Sequence, residues 1–233
     1  MNSSSLPDIE GFPPSLISSL RSLWFSVDSP LALYLRGSAI DPGETNPWDV
    51  DFVLIVGGDK ERACKVADFT SLTIMERFPD FPPVDISVLC ESEGSDSFIS
   101  GILLLSHSSK LIFGKDFRRS INDFCNLKDR VVNYALLSAS IRLESFDDCK
   151  DQVEKNKRAP HLAKSVLRLG GVMRIDEALF SRFPVECSEW LLARHPNLIN
   201  DVSVLMESVE KKKEITGMGR SCLSIIKSVS EAI

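Results

Sequence analysis

The chain carries a short motif whose residue types suit metal and phosphate chemistry: Gly37-Ser38, ten further residues, and then Asp49-Val50-Asp51. Because side chains alternate along an extended strand, Asp49 and Asp51 are expected on one face, while Val50 points into the core. Two adjacent carboxylates repel each other unless a cation lies between them, and their hard oxygen atoms suit Mg²⁺. A tight turn at Gly37 and Ser38 would present backbone amides and a hydroxyl group to phosphate oxygens.

A third carboxylate, Asp85, interrupts an otherwise apolar stretch, Val84-Asp85-Ile86-Ser87-Val88. A lone buried aspartate in a sheet is costly, so it is expected at a strand end, paired, or bound to metal. If its strand lies beside the one that carries Asp51, Asp85 joins Asp49 and Asp51 on one face. Three acids could then hold two divalent ions. One ion would bridge the phosphates of a nucleoside triphosphate, and the other would lower the pKa of an attacking hydroxyl group.

At these residues the sequence resembles the nucleotidyltransferase superfamily that includes DNA polymerase beta. Its signature is an apolar residue, Gly, Gly or Ser, a spacer, and then Asp-apolar-Asp or Glu. Gly37, Ser38 and the two aspartates after the spacer match it, and Asp85 corresponds to a third acid on a later strand. Arg36 stands where the signature has an apolar residue. The resemblance implies an α+β fold, two Mg²⁺ ions, and ATP or another nucleoside triphosphate as donor.

A second resemblance covers more of the chain. Residues 111–117 look like the segment that closes the catalytic domain in minimal and antibiotic-type nucleotidyltransferases. Residues 163–168 and 190–196 resemble the helical domain of aminoglycoside adenylyltransferases. This similarity implies that Lys164 and Arg168, four residues apart on one helical face, contact the triphosphate. Surface residues or partners in salt bridges are the alternative reading of this pair.

Each candidate acid also has an ordinary structural explanation. Asp49 and Asp51 could form a solvent-facing stripe on an edge strand, although the apolar residues 53–56 favour a central strand. Asp85 could cap the turn at Pro82-Pro83. A general base could come from the acids of the helical half, which include Glu144, Glu177 and Glu207.

The apolar spacing predicts a mixed-sheet nucleotidyltransferase domain over residues 1–120 and a helical substrate-binding bundle over residues 121–233. In the first domain it predicts helices over about 13–24, 60–77 and 98–105, and strands over 31–35, 48–56, 84–89 and 111–113. In the second it predicts helices from about 127, then over 146–157, 161–173, 176–183, 186–194, 197–213 and 219–231.

Composition limits the classes of protein that the chain could represent. With 43% apolar and 26% charged residues it forms an ordinary globular core, and its short apolar runs cannot cross a bilayer. No secretory signal is recognisable at the N-terminus, which favours the cytoplasm. The six cysteines contain no C-x-x-C pair, so reduced thiols are expected. A homodimer is compatible with the sequence.

The expected activity is Mg²⁺-dependent transfer of a nucleoside monophosphate, AMP from ATP, onto a hydroxyl group. Residues 1–120 contain seventeen acidic and ten basic side chains, which favours a cationic acceptor such as an aminoglycoside over tRNA. Basic clusters in the second half keep an RNA or protein acceptor open, as in nucleotidyltransferase toxins. A catalytically idle nucleotide-binding protein, such as one half of a toxin–antitoxin pair, is the rival from a different class.

Overall fold

The computed structural model describes residues 12–40 and 50–232, and its contacts divide the chain into two units, Met1–Arg118 and Arg119–Ile233. The first unit contains a β-sheet with helices, and the second is helical. The expected α+β class is therefore confirmed.

The elements of the first unit follow the predicted ones closely. Asp59 caps the second helix, where its Oδ1 accepts a hydrogen bond from the backbone N–H of Arg62 at 3.0 Å. In chain order the unit contains α1 (Pro14–Ser26), β1 (Pro30–Arg36), a 3₁₀ turn (Gly37–Ile40), β2 (Val50–Val56), α2 (Lys60–Arg77), β3 (Val84–Cys90), α3 (Asp96–His107) and β4 (Ser109–Gly114).

The described strands form one mixed sheet in the order β3-β2-β1-β4. β1 runs antiparallel to both of its neighbours, β2 and β4, whereas β2 and β3 are parallel. A parallel pair needs a crossover connection, and the 18-residue helix α2 provides it. This connection brings β3, and with it Asp85, next to β2.

The two faces of the sheet have different coverings. On one face, Val50, Phe52 and Leu54 of β2 pack with α1 and α2 in a buried core. On the other face, α3 packs close to the C-terminal end of β3: a Cβ atom on Gly101 would lie 2.5 Å from Cδ1 of Leu89. Because β3 alternates, Asp85 lies on the same face as Leu89 but at the opposite end of the strand.

The second unit is a bundle with its own buried core, to which all five of its described α-helices contribute. Two of the predicted helices differ from those observed, as described below. The helices are α4 (Lys128–Asp147), α5 (Gln152–Val172), α6 (Pro184–Arg194), α7 (Ile199–Lys211) and α8 (Met218–Ser230), and 3₁₀ turns occupy Ile121–Leu127, Ile175–Glu177 and Pro196–Leu198.

The prediction of separate helices over 146–157 and 161–173 is wrong, because α5 continues through Pro160. Proline inside a helix removes one hydrogen bond and costs about 3 kcal/mol. Burial of a Leu or Val side chain contributes roughly 1.5–3 kcal/mol each. Leu162, Val166 and Leu167 are wholly or almost wholly buried on this helix. Their burial outweighs the local cost of the proline.

The helix predicted over 176–183 is also wrong, since only the short turn Ile175–Glu177 forms there. Ala178 ends the turn with a left-handed φ of 56°. Ser181, further on, is wholly buried, and its carbonyl oxygen accepts a hydrogen bond from the Cys187 thiol at 3.3 Å. The same carbonyl packs against α5, because a Cβ atom on Gly171 would lie 2.1 Å from the Ser181 oxygen. Contact with α5 therefore prevails over the local apolar spacing.

None of the helices in residues 12–40 and 50–232 combines the length and the apolar character that a bilayer crossing requires.

Candidate active site

A row of polar residues crosses the sheet at one level. β3 pairs Asp85 with Asp51 of β2, β1 pairs Arg36 with Asp51, and β4 pairs Ser109 with Arg36. Residues directly opposite each other on adjacent strands project from the same face of a sheet. We call Asp85, Asp51, Arg36 and Ser109 the cross-strand row.

The cross-strand row faces away from the core that α1 and α2 cover. Val50 and Phe52 flank Asp51 in the chain and are buried in that core, so alternation directs Asp51 to the opposite face. Asp51 is half-buried and Asp85 is exposed. The sequence argument that a buried lone aspartate needs a partner therefore does not apply to Asp85, which lies at the second residue of β3 in contact with solvent.

Gly37 touches the carboxylate of Asp51. The residue has a left-handed φ of 84°, and a Cβ atom placed on it would lie 2.8 Å from Oδ2 of Asp51. Glycine is required for both reasons, since a side chain would be strained by the backbone and would collide with the acid. The 3₁₀ turn that begins at Gly37 follows β1 directly. The structure thus brings together the first residue of the motif and its last acid.

The structure gives less for two residues of the motif. It describes only the backbone of Ser38, within the turn Gly37–Ile40, and Asp49 lies outside the described residues. Among the described residues no group of three or more His, Cys, Asp and Glu side chains could hold a metal ion. The carboxylates of Asp51 and Asp85 are hard donors of the kind that Mg²⁺ prefers, and Asp49 would complete the set.

Two residues that the motif did not single out belong to this site. Ser87, on the same face as Asp85, donates a hydrogen bond from Oγ to Asp85 Oδ2 at 3.3 Å. Arg36 lies in the cross-strand row, and its buried Nε has no hydrogen-bond partner in the described part of the chain. The sequence did contain one signal for Arg36, because a cation stands at an apolar position of the signature. Ser87 had no such signal.

Tyr34 organises the segment that leaves the sheet after β4. It is wholly buried, and lies two residues before Arg36 on the same face. Its hydroxyl group donates a hydrogen bond to Asp116 Oδ1 at 3.0 Å and accepts one from the backbone N–H of Phe117 at 2.5 Å. Arg118 in turn donates to Asp116 from Nη2 at 2.7 Å. We call Tyr34, Asp116, Phe117 and Arg118 the Tyr34 network.

The pKa values in the Tyr34 network keep it in one ionisation state near neutral pH. Hydrogen bonding from Arg118 is the main cause that lowers the pKa of Asp116 to about 2. Burial is the main cause that raises the pKa of Tyr34 to about 12. At neutral pH Asp116 is therefore an anion and Tyr34 a neutral donor. The network anchors residues 116–118 at the end of the first unit to the buried strand β1.

Lys164 and Arg168, implied by the resemblance to contact the triphosphate, both lie on α5 in the second unit. They are one helical turn apart, Lys164 is exposed, and Arg168 is half-buried. Burial raises the pKa of the Cys187 thiol on α6 to about 12, and the charge of Arg168 partly offsets this rise. Their role in phosphate binding remains a prediction.

The candidate general bases differ in their surroundings. Glu177 accepts hydrogen bonds from Arg174 and from Arg194 at 2.6 Å, and the Arg174 bond is the main cause that lowers its pKa. Glu207 forms an ion pair with Lys211 at 2.5 Å. A carboxylate whose pKa is lowered is a weaker proton acceptor, which argues against Glu177 as the base. Glu144 and Glu177 are both exposed.

No protein-family model matches the sequence, and no curated protein matches it either. The structure is similar to that of spectinomycin adenyltransferase AAD(9) from Enterococcus faecialis, solved with ATP and spectinomycin. The match has a TM-score of 0.58 at 9% sequence identity and covers 93% of this chain and 98% of the other. The chain therefore shares the fold of this adenyltransferase, as the two resemblances in the sequence implied.

Proposed function

We propose that this chain is a Mg²⁺-dependent nucleotidyltransferase that moves AMP from ATP onto a hydroxyl group of a small molecule such as an aminoglycoside, with release of pyrophosphate. The observation that carries the proposal is the direct pairing of Asp51 with Asp85, on the sheet face where Gly37 touches Asp51. The fold supports it, because a protein whose structure contains ATP and spectinomycin shares that fold.

Asp49, Asp51 and Asp85 would hold the metal. Bound Mg²⁺ would neutralise phosphate charge and lower the pKa of the acceptor hydroxyl group. The chain itself contributes a rigid pair of carboxylates, because Asp51 and Asp85 lie on hydrogen-bonded parallel strands. The hydrogen bond from Ser87 orients Asp85. Such transfer reactions depend mainly on position and charge, so fixed acids on strands are a suitable scaffold.

The phosphates would lie at the turn after β1. Gly37 has no side chain, which lets a phosphate approach the backbone, and Ser38 adds a hydroxyl group. Arg36 brings a positive charge to the same face as the two acids. Lys164 and Arg168 would supply further cations from α5. Arginine binds phosphate oxygens through a planar fork of donors, which suits this role.

The charge of residues 1–120 supports a cationic acceptor. Residues 1–120 are net acidic, with seventeen acidic and ten basic side chains, and a negative surface attracts a cationic acceptor. The same field disfavours a polyanion such as tRNA. A small cationic molecule with hydroxyl groups is therefore the acceptor class we propose.

The first experiment asks whether transfer occurs and to what. The protein is incubated with Mg²⁺ and α-labelled ATP, CTP, GTP or UTP, together with spectinomycin, with kanamycin, or with a cell extract. We expect label from ATP on an aminoglycoside. Label on RNA or protein in the extract would overturn the acceptor class, and absence of label from every mixture would favour an idle nucleotide-binding protein.

The second experiment tests the acids. Loss of a metal ligand removes several kcal/mol of transition-state stabilisation, so Asp51→Asn and Asp85→Asn should each lower kcat/KM by about a hundredfold or more. Asp80→Asn replaces an exposed acid outside the cross-strand row and is the matched control. Wild-type activity in the Asp51→Asn and Asp85→Asn variants would refute the assignment of the site.

A further inference from the structure

The second unit carries an open groove between α4 and α5, of about 660 Å³. Its α4 side presents Leu137 and Ile141, which are 57% and 55% exposed and lie one helical turn apart. Apolar side chains of this size, exposed side by side in a concave surface, are typical of sites that bind another molecule. We call this surface the α4–α5 groove.

The rim of the α4–α5 groove is basic. Arg142, Lys157, Arg158 and His161 line it together with one acid, Glu154. Arg158 is already engaged, because its Nε lies 2.9 Å from Glu154 Oε1 and its Nη1 lies 3.0 Å from Ser145 Oγ. Arg142 and Lys157 form no ion pair with any described residue. The groove therefore offers uncompensated positive charge beside its apolar strip.

The first unit carries a surface of complementary character on α2. Phe69 and Leu72 are 70% and 56% exposed, and Met75 is also exposed. Asp68 and Glu76 lie on the same third of the helix circumference, and neither forms an ion pair with a described residue. We call these five residues the outer α2 face. It is an amphipathic helical surface with an apolar strip and two negative charges.

We propose that the outer α2 face of one copy of this chain docks in the α4–α5 groove of a second copy. Leu137 and Ile141 would meet Phe69 and Leu72, while the acids of α2 would lie near the basic rim. The dimensions agree: Asp68 to Glu76 spans about 12 Å of helix, and the groove follows α4 from Tyr134 to Ser145 over about 16 Å. A helix in an apolar groove is a common mode of recognition.

The charges favour this contact between unlike surfaces over one between two like surfaces. Two α4–α5 grooves facing each other would bring cations together, and two outer α2 faces would bring acids together, so each surface repels its own copy. The apolar floor also favours a helix over a polynucleotide, because bases stack on aromatic or guanidinium planes rather than on Leu and Ile. The contact closes as a twofold dimer where each α2 face enters the other copy's groove, and otherwise it grows into rings or chains.

Sedimentation velocity over a roughly hundredfold range of protein concentration tests the contact. The wild-type sedimentation coefficient should rise with concentration to that of a dimer or a larger assembly, and added salt should weaken the rise. The double variants Phe69→Ser/Leu72→Ser and Leu137→Ser/Ile141→Ser should each remain monomeric. Val185→Ser removes a residue that is 57% exposed elsewhere in the second unit, and should behave as wild type.

Mixing the two double variants distinguishes a contact between unlike surfaces from one between like surfaces. The α2 variant keeps an intact groove, and the groove variant keeps an intact α2, so an equimolar mixture should form a dimer and nothing larger. A monomeric mixture would overturn the proposal, as would a wild-type protein that is monomeric at every concentration. Unchanged thermal unfolding verifies that each variant folds. Transfer activity is assayed separately, because these substitutions retain every proposed site residue.

Discussion

Replacement of Gly37 by alanine tests the contact between the turn after β1 and the acid of β2. A Cβ atom at this position would lie 2.8 Å from Asp51 Oδ2, whereas ordinary van der Waals contact begins at 3.4 Å. The carboxylate must therefore retreat by roughly half an ångström. Misplacement of a reacting group by about 1 Å can cost about a hundredfold in rate. We expect Gly37→Ala to lower kcat/KM by about tenfold or more.

The same substitution has a backbone cost that must be separated from the contact. Alanine in a left-handed conformation costs about 1–2 kcal/mol of stability. The lower conformational entropy of the unfolded alanine variant offsets about 0.4–1 kcal/mol of this cost. Gly217 is the matched control, because its φ of 86° is close to the 84° of Gly37 and nothing lies within 4 Å of its Cβ position. Gly217→Ala should lose about 1 kcal/mol of stability and no activity.

Urea unfolding and nucleotide transfer together measure the two effects. We expect Gly37→Ala to be less stable than Gly217→Ala, because only the former displaces a carboxylate. If both variants lose equal stability and both retain full transfer activity, the contact with Asp51 has no influence on the site. The reasoning that links the glycine to the acid would then be refuted.

Two further predictions concern buried groups. Tyr34→Phe leaves the Phe117 N–H without its acceptor, so it should lower the free energy of unfolding by about 1–3 kcal/mol, measured by thermal or urea unfolding. The control Tyr134→Phe, on a half-buried tyrosine, should change this free energy little. Equal losses in the two variants would contradict the role of the Tyr34 network. Burial raises the pKa of Cys187 and Cys222 to about 12. At pH 8 both thiols should therefore react with iodoacetamide roughly a thousandfold more slowly in the folded protein than in the urea-unfolded protein. Fast labelling of the folded protein would show that the thiols are accessible.

Most element positions in the first unit could be predicted because local patterns determine them. Helix α2 begins and ends where predicted, at Lys60 and Arg77, since Asp59 caps it and a proline-rich turn follows. The strands were short apolar runs bounded by glycine and proline. In the second unit, local patterns gave wrong helix predictions at Pro160 and over 176–183. There, burial against other helices outweighed the local preference.

The candidate site likewise has some features that local sequence patterns determine and others that depend on contacts between distant strands. Alternation along a strand is a local property, so the sequence alone indicated that Asp51 faces away from the core. The pairing of Asp51 with Asp85 depends on the register of two strands separated by a helix, and hydrogen bonds between distant segments set that register. The proximity of Arg36 and the hydrogen bond from Ser87 follow from the same register. No pattern in the sequence determines it.

By itself, the sequence indicated the class of chemistry that we propose, because carboxylates, glycine and serine at this spacing suit a metal and a phosphate. It also determined the periodicity that makes the first unit a sheet with helices and the second a bundle. Only the tertiary structure decided which acids are neighbours, that Tyr34 anchors residues 116–118, and that α2 and the α4–α5 groove expose apolar strips. These features arise from contacts between residues far apart in the chain, whose free energies no local pattern contains.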